Sequence, residues 1–289
     1  MRIELLIDER NNLGEGPVWD VEEQRLYWID SLGREVFRVR EDGSGFERRP
    51  VPGDIGSLAL RKSGGLVLSL ADGFYLFDFD TGRYEKVVDP EPHLPRTRLN
   101  DGKVDKRGRF IAGTMDTREE ESIGSLYRLD TDLTCHRIET GIKVTNGPCW
   151  SPDGKTFYFA DSWTGIIRAY DYDLDHGTLS RKRTFASTTE RKGAPDGSTV
   201  DAQGYLWNAQ VYGGYVVRYA PDGTVDRVIE FPITKVTSVN FGGKKLDVLY
   251  VTTMGKAAEK FAPTQPKGGG LFAIHDLGVT GVAEPRFGG

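Results

Sequence analysis

Four oxygen-bearing side chains recur at one register of this chain: Glu15, Asn100, Asn146 and Asp196. Each lies five residues ahead of a turn position, respectively Asp20, Asp105, Ser151 and Asp201. Two further copies of the pattern carry Gly56 before Arg61 and Ser238 before Gly243. Glu15, Asn146 and Asp196 offer two carboxylates and one amide oxygen, hard donors suited to Ca²⁺, Mg²⁺ or Mn²⁺, with Zn²⁺ accommodated through carboxylate and water. Two carboxylates facing one channel repel unless a cation lies between them. The plain alternative is a polar lining solvated by ordered water, because Asp and Asn are also ordinary turn residues. The four histidines, His93, His136, His176 and His275, all fall outside the register. No C-x-x-C or H-E-x-x-H motif occurs, which excludes a closed Cys/His zinc site, and no G-x-S-x-G elbow supports Ser-His-Asp hydrolysis.

Gathering residues so far apart in sequence requires a repeating scaffold. The turn positions recur at intervals of 41 to 50 residues, and each unit holds several short apolar runs separated by Gly, Asp or Pro. That period and strand content predict propeller blades. The reading is an all-β fold: residues 1–289 as one six-bladed β-propeller domain, with four-stranded antiparallel blades around a central channel. Equivalent positions on the inner strands then ring the axis. Arg2–Ile7 (RIELLI) precedes the first repeat and is expected to complete the last blade, removing the open sheet edge. A pair of β-sandwiches is the fallback, with fewer strands than the pattern supplies. No amphipathic run is long enough for a substantial helix.

Two insertions interrupt the repeats, Met115–Ile123 in the third and Met254–Gly268 in the sixth. Both follow a second strand, so both belong at the same end of the channel, beside its mouth. The first carries Asp116, Arg118, Glu119, Glu120 and Glu121 and reads as solvent-facing and mobile. Trp163 and Tyr212 also follow second strands and are candidate pocket walls.

Composition narrows the partners. The chain has 38 basic and 43 acidic residues, interspersed, for a net charge of -5. Without a basic stripe, nucleic acid is not an expected partner. Cys135 and Cys149 form no disulfide framework, which favours a reducing compartment. Arg2, Glu4, Asp8 and Glu9 break up any signal-peptide core, and no run approaches the roughly 18 apolar residues of a membrane helix. The expectation is a cytoplasmic protein without membrane contact, a monomer or weak homo-oligomer.

The motifs read together carry more. LGEGPVWD (Leu13–Asp20), RLNDGKVD (Arg98–Asp105), AGTM (Ala112–Met115), TNGPCWSPDGKTFYFAD (Thr145–Asp161) and PDGSTVDAQGYLW (Pro195–Trp207) resemble the gluconolactonase family that includes regucalcin, or senescence marker protein 30. The resemblance runs from Leu13 to Phe272. It implies a six-bladed propeller holding one divalent cation at its axis, and hydrolysis of a sugar lactone to the aldonic acid. The family's metal-binding residues fall on Glu15, Asn146 and Asp196, and its substrate-contacting residues on Arg98 and Asn100. Asp101, directly after Asn100, is placed to orient a neighbour. Under this reading the cation polarises the carbonyl or its bound water. Asp196 accepts the water's proton, or hydroxide on the cation does without it. A non-catalytic propeller binding a ligand or calcium is the alternative, and a strictosidine-synthase-like propeller shares the architecture without these axial ligands.

Overall fold

The inner strands of this chain are buried on both faces. In Arg25–Asp30 the run Leu26, Tyr27, Trp28 and Ile29 is buried throughout, where a sheet with one wet face alternates. Such strands need a neighbouring sheet on each side. The computed structural model, which describes all 289 residues, supplies them as six four-stranded antiparallel sheets arranged as the blades of a propeller.

With β1 the N-terminal strand Arg2–Ile7, blade one holds β2 (Gly14–Asp20), β3 (Arg25–Asp30), β4 (Glu35–Arg40) and β5 (Glu47–Pro50). Blade two holds β6 (Ile55–Leu60), β7 (Leu66–Leu70), β8 (Gly73–Phe77) and β9 (Tyr84–Val88). Blade three holds β10 (Thr97–Val104), β11 (Phe110–Asp116), β12 (Gly124–Leu129) and β13 (Cys135–Ile142). Blade four holds β14 (Thr145–Trp150), β15 (Thr156–Asp161), β16 (Ile166–Asp173) and β17 (Thr178–Ser187). Blade five holds β18 (Ala194–Val200), β19 (Leu206–Val211), β20 (Tyr215–Tyr219) and β21 (Val225–Glu230). Blade six joins β22 (Val236–Gly242), β23 (Val248–Thr253) and β24 (Leu271–His275) to β1, so the N-terminal strand closes the ring as expected. A single short 3-10 turn, Ser162–Thr164, is the one helical element, and no helix is long and apolar enough to cross a membrane.

The core is divided among the interfaces between blades. Along β3, Tyr27 and Ile29 pack toward blade two, whereas Leu26 and Trp28 pack toward blade six, the period-two alternation of a strand spent on two partners. Trp28 is fully buried, stacks on Phe37 with ring centroids 5.0 Å apart, and donates its indole N–H to Asn11 Oδ1 at 3.0 Å. Truncating such a residue to Ala costs about 3–5 kcal/mol. The outermost strands are wet and charged; β17 carries Arg181, Lys182 and Arg183, which protects its free edge.

The aligned turn residues cap the inner strands. Asp20 accepts the N–H groups of Glu22 and Glu23, Asp105 those of Arg107 and Arg109, and Asp201 those of Gln203 and Tyr205. At this end the C-terminal segment 276–289 runs beneath the channel, which repeat spacing did not foretell. It bridges Gly281 to Asp201 and Phe287 to Arg61, and it buries Phe287 between blades two and three. Glu284 on this strap pairs with Lys103 inside the channel at 2.9 Å.

Candidate functional site

Every inner strand loses its register with its neighbour where the ring residue sits. The shift lies between Glu15 and Val18 in β2, Leu99 and Gly102 in β10, Asn146 and Cys149 in β14, and Pro195 and Ser198 in β18. The two inner strands whose register residue is neither acid nor amide, β6 with Gly56 and β22 with Ser238, are irregular at Ile55–Ser57 and Val236–Ser238. A bulge kinks a strand and re-aims the side chain beside it. Gly16 and Gly147 follow Glu15 and Asn146 with φ of 55° and 58°, a left-handed backbone that a side chain would strain. The recurring register in the sequence is therefore a recurring bulge.

The result is one cleft at the strap-free end of the channel, lined by Glu15, Arg98, Asn100, Asn146 and Asp196. Trp163 and Tyr212 form its wall, joined by Leu13, Val144, Met115 and Met254. Asn146 is held at both ends of its amide. Its Oδ1 accepts from Asn100 Nδ2 at 3.1 Å, and its Nδ2 donates to Ser162 Oγ at 2.8 Å. Arg98 Nη1 donates to Asn100 Oδ1 at 2.8 Å and to Leu99 O at 3.0 Å, leaving the rest of the guanidinium for a ligand; it forms no ion pair. Asp101 does not line the cleft. It accepts the N–H groups of Gly102 and Gly147, both at 2.8 Å, and so fixes the bulge that presents Asn146.

The charges in this site are poorly compensated. Loss of hydration, then the charges of Asp196 and Asp101, hold the Glu15 carboxyl well above the ordinary carboxylate range. Asp196 is raised in the same way, by burial first and then by Asp101. Burial pushes Asp101 up to about 6, against the Gly147 N–H and the Lys103 ammonium. Arg98, the nearest cation on the cleft side, is itself lowered by burial.

These residues fit a hard divalent cation. Glu15 receives only the N–H of Gly16, at 3.1 Å, and the Asn146 oxygen keeps a lone pair. Two under-compensated carboxylates and an amide oxygen facing one cleft are what such an ion neutralises. No group of three or more His, Cys, Asp or Glu side chains is placed to hold a metal anywhere in the structure, this cleft included, where the third donor is an amide.

Sequence reasoning did not single out Ser162, Lys103 or Phe261. Ser162 bridges Asn146 to Pro195 O at 2.8 Å, tying blade four to blade five beside Asp196. Its place directly before Trp163, after a second strand, was the available signal. Both insertions lie at the mouth as expected, and residues 117–122 of the first face solvent in the main, whereas its Asp116 is buried. Asp116 belongs to β11 with a fully buried side chain, and it accepts the N–H groups of Arg118, Glu120 and Glu121 and a bond from Arg96. Glu119 at its tip accepts the Trp163 indole N–H at 2.9 Å.

A family model described as SMP-30/Gluconolactonase/LRE-like region matches residues 13–255. Regucalcin of Xenopus laevis is 36% identical over 296 aligned residues, covering 100% of this chain and 99% of that protein. L-arabinolactonase of Azospirillum brasilense is 38% identical over 291 aligned residues, covering 99% of this chain and 95% of that one. Among solved structures, a calcium-binding regucalcin from Agrobacterium tumefaciens has a TM-score of 0.91 at 29% identity, over 98% of this chain and 96% of that chain.

Proposed function

The chain belongs to the SMP-30/gluconolactonase/LRE-like family, and we propose that it hydrolyses a sugar lactone to the corresponding aldonic acid with one divalent cation. The observation that carries this reading is the convergence of Glu15, Asn146 and Asp196 in one cleft with Arg98 and Asn100, between a polar face and an apolar wall. The likeness to an L-arabinolactonase over nearly the full length of both chains supports the substrate class. Glu15, Asn146 and Asp196 would hold the ion. When bound it supplies a Lewis acid that stabilises negative charge developing on the lactone oxygen.

The chain's own groups do the rest. Arg98 presents its free guanidinium N–H groups to the carbonyl oxygen or a ring hydroxyl, and the bond it gives Asn100 keeps both side chains in place. The apolar wall takes the ring's C–H face and keeps bulk water from the cleft. Asp196 accepts a proton from the water that attacks the carbonyl carbon; the ring C–O bond then breaks and its oxygen takes up a proton, giving a hydroxy acid. Burial and the Asp101 charge raise the Asp196 carboxyl in the cation-free fold; a bound cation would lower it again and weaken it as a base, so its place in this role rests on its position in the cleft.

The test is a panel of gluconolactone, xylonolactone, arabinonolactone and galactonolactone. Each is assayed after chelation and again with Ca²⁺, Zn²⁺, Mn²⁺ or Mg²⁺ added, with spontaneous opening subtracted. Metal-dependent turnover of at least one lactone is expected. Cation binding without turnover of any lactone would refute hydrolysis and leave a calcium-binding propeller, the reading that the Agrobacterium protein's description favours.

A further inference from the structure

Three aromatic rings from three different blades meet at the mouth of the cleft. Trp163, after β15, and Tyr212, after β19, lie nearly parallel, with centroids 6.2 Å apart and planes 9° from each other. Tyr212 reaches this pose on a left-handed backbone, φ 64°, which bulky residues seldom adopt. Phe261, from the blade-six insertion, stands 5.3 Å from both rings at 45° and 49°. Trp163 and Tyr212 line the cleft itself, whereas Phe261 sits on their outer side and remains 47% exposed. The three rings form one contiguous apolar patch on the rim of the cleft, the kind of surface that marks a ligand-binding groove.

The insertion that carries Phe261 is built to hold it there. Lys235, fully buried and without a carboxylate partner in contact, donates from Nζ to Gly255 O at 2.5 Å and Ala257 O at 3.0 Å. Gly255 N–H is taken by Asn11 O, Thr264 Oγ1 bonds Gly255 O, and Thr234 N–H bonds the Gln265 side chain. The loop is thus pinned at both feet, and the Lys260 ammonium covers Phe261 at 4.7 Å from its centroid.

We propose that Phe261 is a specificity-determining residue: it extends the Trp163–Tyr212 wall outward and packs against the carbon chain that projects from the lactone ring. This rests on the lactonase reading above. With the reacting carbonyl at the polar face and the ring on the inner wall, substituents directed away from the axis reach Phe261. Lactones with a longer exocyclic chain gain from it more than those with a single exocyclic carbon.

Phe261→Ala, Phe261→Tyr and the wild type should be assayed with galactono-1,4-lactone, whose exocyclic chain has two carbons, and arabinono-1,4-lactone, which has one. In Phe261→Ala the kcat/KM ratio of galactonolactone to arabinonolactone falls about ten-fold, equivalent to about 1.4 kcal/mol. The loss lies in KM, and Phe261→Tyr restores the ratio. Lys235→Met, which unpins the loop, lowers it in the same direction. A ratio that stays constant in Phe261→Ala, whether both activities fall or neither does, overturns the inference, because a purely structural role treats both substrates alike. The same variants titrated calorimetrically with D-galactose and L-arabinose, pyranoses differing by one exocyclic carbon, separate this inference from the activity. If no lactone is opened but galactose binding alone weakens in Phe261→Ala, hydrolysis fails and the aromatic wall stands. Equal weakening for the two sugars, or no binding of either, overturns it.

Discussion

Without a cation, this protein should lose stability as the pH rises through the range where most proteins are indifferent to it. Asp101 titrates at about 6 in the fold and about 3.8 when unfolded. Between those values the native state keeps a proton that the unfolded chain has released, so stability falls with rising pH. The full effect for Asp101 is about 3 kcal/mol, of which about 1.4 kcal/mol falls between about pH 5 and about pH 7.5. At about 2.1 cal/mol/K per residue for this 289-residue chain, that is a drop of about 2 °C in Tm from Asp101 alone. Glu15 and Asp196 are raised as well and act in the same direction. Carboxylates with the opposite shift do not interfere. Glu47, held at about 2 by Arg38 and Arg25, and Asp116, lowered to about 2 by the N–H groups of its own turn against the cost of burial, lose their contributions only at lower pH. The assay is differential scanning calorimetry across this range in a chelator, repeated with saturating Ca²⁺. Expected is a Tm that declines with pH in the chelator and is raised and flattened by the cation. A chelated protein whose Tm is constant or climbs over the same interval refutes the uncompensated-carboxylate account of the site.

Three further outcomes follow from individual side chains. Asp196→Asn keeps an oxygen donor and removes the base, so it should still bind a cation by calorimetry yet lose activity by about 10² to 10⁴; recovery at saturating metal would show that Asp196 serves only as a ligand. Glu15→Ala should weaken cation affinity above all, and excess metal should restore part of its activity; a flat metal titration would assign Glu15 another role. Glu284→Gln leaves the Lys103 ammonium without its ion-pair partner; burial disfavours that charge most, and Glu284 with Cys149 and Asp101 together outweigh the cost. Urea unfolding should register a loss of about 3 kcal/mol, largely recovered in the Lys103→Met, Glu284→Leu double variant. A single variant as stable as wild type would mean that water reaches Lys103.

The architecture was legible in the chain because a propeller repeats its chemistry. A turn must end each inner strand at the same place, and at three of the six, Asp20, Asp105 and Asp201 each accept two of the N–H groups that follow, so the period survives variable loops. The closing role of Arg2–Ile7 was also readable, since five complete repeats and one lacking its last strand leave a single place for it. Glu15, Asn100, Asn146 and Asp196 could be named for the same reason: their position relative to the cap is constant, and the bulge beside each turns it to the axis.

Features outside the repeat were decided by tertiary structure. Segment 276–289 carries no periodic signal, and only the assembled ring provides the strand ends beneath which it runs and the Lys103 that Glu284 meets. The Met115–Ile123 segment reads as solvent-facing throughout from its charges, but charge content says nothing of where an acid can be satisfied; Asp116 is buried because three N–H groups and Arg96 converge on it. Phe261 is one aromatic residue in a polar insertion until Trp163 and Tyr212 arrive from two other blades. The raised carboxylates belong to this second class too. Composition sets how many acids the chain has, whereas desolvation and mutual repulsion arise only once Glu15, Asp101 and Asp196 share one channel.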